Sequence, residues 1–354
     1  MSAPEHRADG SGQGQVGRQA NSKGSKANGP KARIIDLHAH IVLEEGFGAA
    51  GRYGPELAVD GEGVPYFRIG AYRMKPMAYR GTVFMDVDKR LALMDQLGID
   101  LQLLSPNPLT MFHGIEADIA ERFCRVHNDA MAEVVAKHPH RLLGAAALPM
   151  QDPEAACREL ERAVRDLGLT AAHTGTDYPF PLYDPRLDDF YRTLVALNVP
   201  LFLHPASTDG ANPPADERLS HFDLGLIVGY AYDESLAVAN LVFGGVLERH
   251  PKVDICISHG GGALPFLMGR YEGMARFRAW APESVRERGF RHEARKLWYD
   301  AHVEGEAARN LLVEALGRER LVFGTNFGGW DTPSSPATAF DASLTPNAER
   351  LMRL

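Results

Sequence analysis

Eight short apolar runs, separated for the most part by stretches of helical periodicity, set the tightest limit on how this chain can fold. The runs are residues 34–41, 101–106, 142–149, 169–174, 199–204, 253–259, 296–301 and 320–326. Between them lie amphipathic stretches at 86–98, 115–137, 153–167, 185–197, 231–249 and 305–317. Strand–helix alternation of this kind builds parallel sheet covered by helices. Eight such strands close on themselves, so the α/β class narrows to a single (β/α)8 TIM barrel over residues 34–354. Leu97-Gly98 and Leu167-Gly168 supply the left-handed helix ends that such units use. Two segments, 42–85 and 264–295, exceed ordinary loops and are expected to serve as lids or oligomer contacts. A closing helix is expected around 347–351, and no internal repeat is visible.

Residues 1–33 are of different material, rich in Gly, Ser, Gln, Asn and Ala and without aromatics, and read as a disordered tail. Six basic against two acidic residues give the tail a charge of +4, so the formal −8 of the chain leaves −12 on the barrel. That balance argues against a nucleic-acid surface. The tail has no apolar core of a signal peptide, and no run is read as a membrane span. Cys124, Cys157 and Cys256 are widely spaced and odd in number, which fits a reducing cytoplasm rather than a disulfide framework.

The sharpest chemical signal is Asp36-Leu-His38-Ala-His40 at the end of the first run. Alternate side chains on a strand share a face, so His38 and His40 are expected to point together into the barrel mouth and chelate one divalent cation, with Asp36 as an orienting partner. His204 ends the apolar run Pro200–Leu203, and His259 ends Val253–Ser258 before Gly260-Gly-Gly262. A buried strand has little reason to finish in imidazole unless the ring has a partner at the rim. Taken singly each is as readily a hydrogen-bonded core histidine; together with the first pair they favour a metal site.

Six stretches resemble the amidohydrolase-related family typified by aminocarboxymuconate-semialdehyde decarboxylase. They are DLHAH (36–40), LPMQDPEAACRELERAV (148–164), LYDPRLDDFYRTL (182–194), VPLFLHP (199–205), GGVLERHPKVDICISHGGGALPFLMGR (244–270) and LVFGTNF (321–327). The resemblance implies His38, His40 and His204 as metal ligands, with His259 just outside the metal, handling a proton. It places the remaining ligand, an aspartate in the family, at Asn326. A neutral amide oxygen has no useful basicity, so His259 takes over as base, another carboxylate (Asp300 or Asp331) substitutes, or the ancestral reaction is lost. Arg80 is the residue such an alignment offers to a substrate carboxylate, while Glu44 and Glu45 follow the first pair closely enough to approach a metal.

His173 and His302 end two further strands, and are read as substrate contacts or as residues behind the metal ligands. Their number also permits a two-metal centre, since catalytic zinc takes about three protein ligands. The leading expectation is a metal-dependent enzyme, zinc being the first choice and iron or manganese alternatives. It would decarboxylate or hydrolyse a small carboxylated or ring-derived substrate. The alternatives are a dinuclear iron or manganese oxygenase on the same barrel, and a non-catalytic barrel that partners a catalytic paralogue. A homo-oligomer, in the simplest case a dimer, or a hetero-oligomer with a paralogue is expected.

Overall fold

Alternation of buried runs with capped helices produces eleven strands and twelve helices in the computed structural model, which describes residues 33–206, 216–329 and 335–354. The tail expectation for residues 1–33 and the alternative carboxylate Asp331 lie outside the described residues, Arg33 excepted. In chain order the strands are β1 (Ile35–Ile41), β2 (Glu56–Val59), β3 (Pro65–Ile69), β4 (Tyr72–Met74), β5 (Leu101–Pro106), β6 (Leu142–Ala147), β7 (Ala171–Thr174), β8 (Leu201–Leu203), β9 (Ile255–Ile257), β10 (Trp298–Asp300) and β11 (Leu321–Val322). The helices are α1 (Val87–Leu97), α2 (Ala117–Lys137), α3 (Pro153–Arg165), α4 (Asp188–Leu197), α5 (Tyr230–Phe243), α6 (Val246–Arg249), α7 (Leu264–Arg276), α8 (Glu283–Arg288), α9 (Phe290–Ala294), α10 (Glu306–Leu316), α11 (Ala339–Ala342) and α12 (Thr345–Met352).

All eight expected strands are present and pair in parallel in the order β1-β5-β6-β7-β8-β9-β10-β11. The ring is nearly closed by backbone bonds from β1 to the segment that follows β11: Leu37 N–H to the Phe323 carbonyl at 2.9 Å, and His40 N–H to the Phe327 carbonyl at 2.6 Å. One apolar cluster takes a side chain from each of the eight strands, including Ile35, Leu101, Ala171, Phe202, Cys256 and Trp298. It is the packed barrel interior, and Ala348, Leu351 and Met352 of α12 join it.

A buried polar clamp holds the seam. Asp36 accepts from Gln102 Nε2 at 2.7 Å, from Thr325 Oγ1 at 2.7 Å and from the Thr325 and His38 backbone N–H groups. Arg90, fully buried, donates to Gln102 Oε1 at 2.8 Å and to the His40 carbonyl, and stacks 4.6 Å from the Phe327 ring. Burial pushes the Asp36 carboxyl up to about 6 against those donors.

Three expectations about the outer parts need correcting. Segment 42–85 carries a small antiparallel sheet, β2-β3-β4, whose Phe67 and Ile69 pack on Phe112 and Phe123 over the barrel mouth. Segment 264–295 is not a loop but α7, α8 and α9. The single helix expected at 231–249 starts earlier, as a π-helical turn over Gly225–Gly229, and breaks at Gly244-Gly245. A Cβ at Gly244 would lie 2.0 Å from that of Tyr183, so the chain there admits only glycine.

Gly225–Phe243 is, by length and composition, apolar enough to cross a membrane, which the sequence reading overlooked. In the fold it is a barrel-wall helix. Ala237, Val238, Leu241 and Val242 face the core, while Ile227, Val228, Tyr232 and Leu236 are exposed.

Candidate metal centre

The two histidines of β1 share the barrel mouth because the strand is irregular. Pairing with β5 shifts register between Asp36 and Ala39, a bulge that places one extra residue on β1. Ile35 and Leu37 therefore face the barrel interior below the bulge, and His38 and His40 meet at the mouth above it. Asp36 is thereby separated from the histidine face, and its expected role as their orienting partner passes to other groups. Asp300 Oδ2 holds His38 Nδ1 at 2.8 Å, while Ser105 Oγ and the Pro106 carbonyl hold His40 Nδ1 at 2.9 and 3.2 Å. Gly324 makes room for this arrangement, since a Cβ there would lie 2.6 Å from that of His38.

These partners fix the tautomers. A carboxylate and a carbonyl only accept, and the Ser105 hydroxyl is already donating to the Ala39 carbonyl at 2.9 Å, so both Nδ1 atoms carry the proton. The Nε2 atoms of His38 and His40 then face each other at 3.2 Å with a lone pair each. Two nitrogens bound to one tetrahedral cation at ~2.1 Å lie ~3.4 Å apart, so the pair has the spacing of two ligands. His204 repeats the pattern: its Nδ1 donates to the Pro205 carbonyl at 2.8 Å, and its buried Nε2 has no partner among the described residues.

His259 follows β9 with a left-handed φ of 45°, which lifts its ring from the strand's alternation. Glu234 of α5, fully buried, holds its Nδ1 at 2.6 Å. One ring nitrogen from each of His38, His204 and His259 lies within 4.8 Å of the others, and among the described residues no second group of three His, Cys, Asp or Glu side chains does so.

Protonation does not compete for these nitrogens. Burial first, and then the neighbouring imidazoles, hold His40 and His204 well below the ordinary histidine range. Burial lowers His38 too, against the opposing pull of Asp300. Buried, neutral, anchored imidazoles with lone pairs converging on one point fit a divalent cation. The charge balance is indirect: Asp300 stands behind His38 and Glu234 behind His259.

The other expected residues divide. Asn326 is buried at the seam with a left-handed φ of 51°, a conformation asparagine tolerates well. A Cβ at Gly329 would sit 2.5 Å from its amide. Asp300 is engaged on both oxygens, by His38 Nδ1 and by the His302 backbone N–H at 3.0 Å, so it orients a ligand rather than replacing one. His173 is the penultimate residue of β7, buried, its ring 5.9 Å from those of His40 and His204. His302 lies 5.7 Å from His259 and lines, with Leu226, Ile227, Tyr230, Glu234 and His259, a cavity of about 220 Å³.

Arg80 does not join the cluster. Its guanidinium spans both oxygens of Glu44 at an exposed position, so neither the expected carboxylate clamp nor the approach of Glu44 to a metal is formed. The sequence reading missed Glu234 and Ser105; the adjacent acids Asp233 and Glu234 inside the otherwise apolar run Ala231–Phe243 were the available signal.

Barrel and histidine cluster together define a metal-dependent enzyme of the α/β-barrel type. The chain belongs to the amidohydrolase family, whose model matches residues 35–350. It is similar to the 2-amino-3-carboxymuconate-6-semialdehyde decarboxylase of Dictyostelium discoideum, at 29% identity over 83% of this chain and 81% of that protein. It is also similar to the gamma-resorcylate decarboxylase of a Rhizobium species, at 30% identity over 90% of this chain and 99% of that protein. The crystal structure of 2,6-dihydroxybenzoate decarboxylase complexed with 2,6-dihydroxybenzoate superposes with a TM-score of 0.70 and 26% identity, covering 91% and 99% of the two chains. A dihydroxybenzoic acid decarboxylase from Polaromonas with bound manganese superposes at 0.67 and 25% identity, over 91% and 97%. The chain is accordingly a metal-dependent lyase or hydrolase that takes a divalent metal and a small-molecule substrate.

Proposed function

We propose that this enzyme decarboxylates a small aromatic or ring-derived carboxylate. The observation that carries the reading is the convergence of Nε2 lone pairs from His38 and His40, each Nδ1 locked by an acceptor. The decarboxylases among its relatives support the choice of reaction. His38, His40, His204 and Asn326 would hold the cation, which supplies Lewis acidity toward the substrate's oxygens. Manganese is as well supported as zinc, because neutral nitrogen and amide-oxygen donors suit both.

The rest of the chemistry falls to the protein. In decarboxylation the bond from ring carbon to carboxyl carbon breaks, carbon dioxide leaves, and the electron pair left on the carbon takes a proton. His259 holds that proton. Glu234 at its Nδ1 stabilises the protonated ring and fixes the direction of Nε2. Burial pushes the Glu234 carboxyl up to about 7, while His259 beside it draws it down.

The test is release of carbon dioxide from hydroxybenzoates and carboxymuconate-type acids by protein stripped of metal and reloaded with manganese or zinc. No release from any of them by a fully loaded protein would sink the reading. Glu234→Gln retains an acceptor for His259 but removes the charge. It is expected to lower kcat about tenfold to hundredfold with KM little changed, since losing an orienting partner of a metal-site histidine costs ~10–100-fold. A raised KM at unchanged kcat would show that Glu234 positions substrate instead.

The assembled enzyme is read as a homodimer. Exposed Ile227, Val228 and Tyr232 precede or lie on α5, and exposed Phe266, Met274, Phe277 and Trp280 lie on or after α7, a set a monomer would leave in water. Acidic Asp223 near the first set and basic Arg270, Arg276 and Arg278 near the second are complementary in a two-fold pairing. Light scattering is expected to give twice the chain mass of 38.8 kDa, and a monomer at micromolar concentration would count against it.

A further inference from the structure

Three buried tyrosines satisfy their hydroxyls within the protein. Tyr178 bonds Thr174 Oγ1 at 2.6 Å, Tyr191 donates to the Leu182 carbonyl at 2.7 Å, and Tyr299 donates to the Ala294 carbonyl at 2.9 Å. Tyr230, partly buried, departs from them, because its hydroxyl has no hydrogen bond among the described residues. Its ring nevertheless packs among the histidines of the site, edge-on to His204 at 5.8 Å and within 30° of parallel to His259 at 6.5 Å. Packing alone would be served by phenylalanine, and a tyrosine hydroxyl that leaves bulk water normally takes a partner.

The fold fixes this ring in place. Tyr230 opens α5 directly after the π-helical turn, its backbone N–H reaching the Gly225 carbonyl. Isolated π-turns recur at functional sites. The next residue ties the helix to the loop that carries His259: the Ala231 carbonyl accepts from Ala263 N–H at 3.2 Å, and a Cβ at Gly262 would collide with it. One turn further along α5, Glu234 holds His259 Nδ1 at 2.6 Å. Residues four apart share a helix face, so α5 turns Tyr230 and Glu234 toward the same imidazole.

The surroundings define what the hydroxyl is for. Tyr230, Glu234, His259 and His302 line the cavity of about 220 Å³ together with apolar Leu226 and Ile227. A cation at the neighbouring histidines draws one end of an acidic substrate. The remainder of such a molecule lies against a wall that contains Glu234 and Glu304, which repel it when ionised. A phenol on that wall is a neutral donor, able to hold a substrate oxygen without adding charge beside the cation.

We infer that Tyr230 positions the substrate: its ring walls the space beside His204 and His259, and its hydroxyl donates to an oxygen of the bound acid that the cation does not hold. The inference rests on the decarboxylase reading above, which gives Tyr230 no part.

The experiment is steady-state kinetics of the manganese-loaded wild type, Tyr230→Phe and Tyr230→Leu on the hydroxybenzoates and carboxymuconate-type acids assayed above. Tyr230→Phe keeps the wall and loses the donor. KM is expected to rise about tenfold with kcat within about twofold, because bound substrate and transition state lose the same hydrogen bond. Tyr230→Leu loses the aromatic wall as well and should also lower kcat about a hundredfold, the scale of a misplacement of about 1 Å. Manganese affinity and melting temperature should match wild type in Tyr230→Phe, whose hydroxyl has no protein bond to lose. An unchanged KM in Tyr230→Phe, whatever happens to kcat, would overturn the positioning role. Weaker manganese binding or a lower melting temperature in that variant would do so too, leaving Tyr230 as packing for His204. If the loaded wild type turns over none of these acids, the decarboxylase reading itself fails, an outcome distinct from turnover that is indifferent to the hydroxyl.

Discussion

His204→Ala is expected to lower the affinity for the divalent cation by more than ~100-fold while leaving the barrel folded. Losing a group that merely orients a ligand costs ~10–100-fold, and removal of a ligand from a centre of three imidazoles costs more. The fold should survive because, among the described residues, the side chain gives up one hydrogen bond, to the Pro205 carbonyl, and its Nε2 has no partner there. His38→Ala should abolish binding equally but also unfold more easily. It strands the Asp300 carboxylate, nearly inaccessible at 3% exposure, without the imidazole that faces it. Leaving a buried acceptor without its donor costs ~1–3 kcal/mol, and more when the acceptor is charged. Competition with a chelator measures the first effect, and melting of the metal-free proteins separates the second. Full metal content in His204→Ala would remove His204 from the centre.

The barrel was legible because each strand is buried on both faces and flanked by capped helices. Asp86 and Asp152 accept the first-turn N–H groups of α1 and α3, and Gly98 takes the left-handed position that ends α1. Helices α7 to α9 escaped notice because α7 starts at Leu264-Pro265 and contains Gly269 and Gly273, with exposed Phe266 blurring its polar face. Such a helix is held by packing rather than by propensity.

The histidines of the site were legible for the same reason as the strands: His38, His40, His204 and His259 stand at the ends of apolar runs. What holds them was not. The contacts Asp300–His38 and Glu234–His259 join residues 262 and 25 positions apart, a separation without a local pattern. The bulge in β1 was equally hidden, since it depends on pairing with β5, and it changed the reading of Asp36 from metal-site partner to clamp of the seam. Arg80 shows the converse failure. Alignment placed it near the mouth, but a glutamate 36 residues away takes the Nε–Nη2 edge of its guanidinium with both oxygens.

Asn326→Asp should move metal affinity in the opposite direction, tightening it by about 100-fold. An aspartate at this position adds a negative charge to a centre whose nearest ligands are neutral, in a site removed from water, where Coulomb attraction is weakly screened. The left-handed backbone at 326 admits aspartate nearly as well as asparagine, so the substitution does not of itself strain the chain. The metal-free protein pays in return, for Asp36, Glu234 and Asp300 already bury three carboxylates around the mouth. The variant is therefore expected to melt lower than wild type without metal and higher at saturating manganese, because a ligand bound only by the folded state stabilises in proportion to its affinity. Catalysis need not rise with affinity, since the extra charge also weakens the Lewis acidity that the neutral amide preserves. Chelator competition and melting curves with and without manganese read both effects. Unchanged or weaker binding by the aspartate variant would place Asn326 outside the cation's reach and count against a single-metal centre completed by this residue.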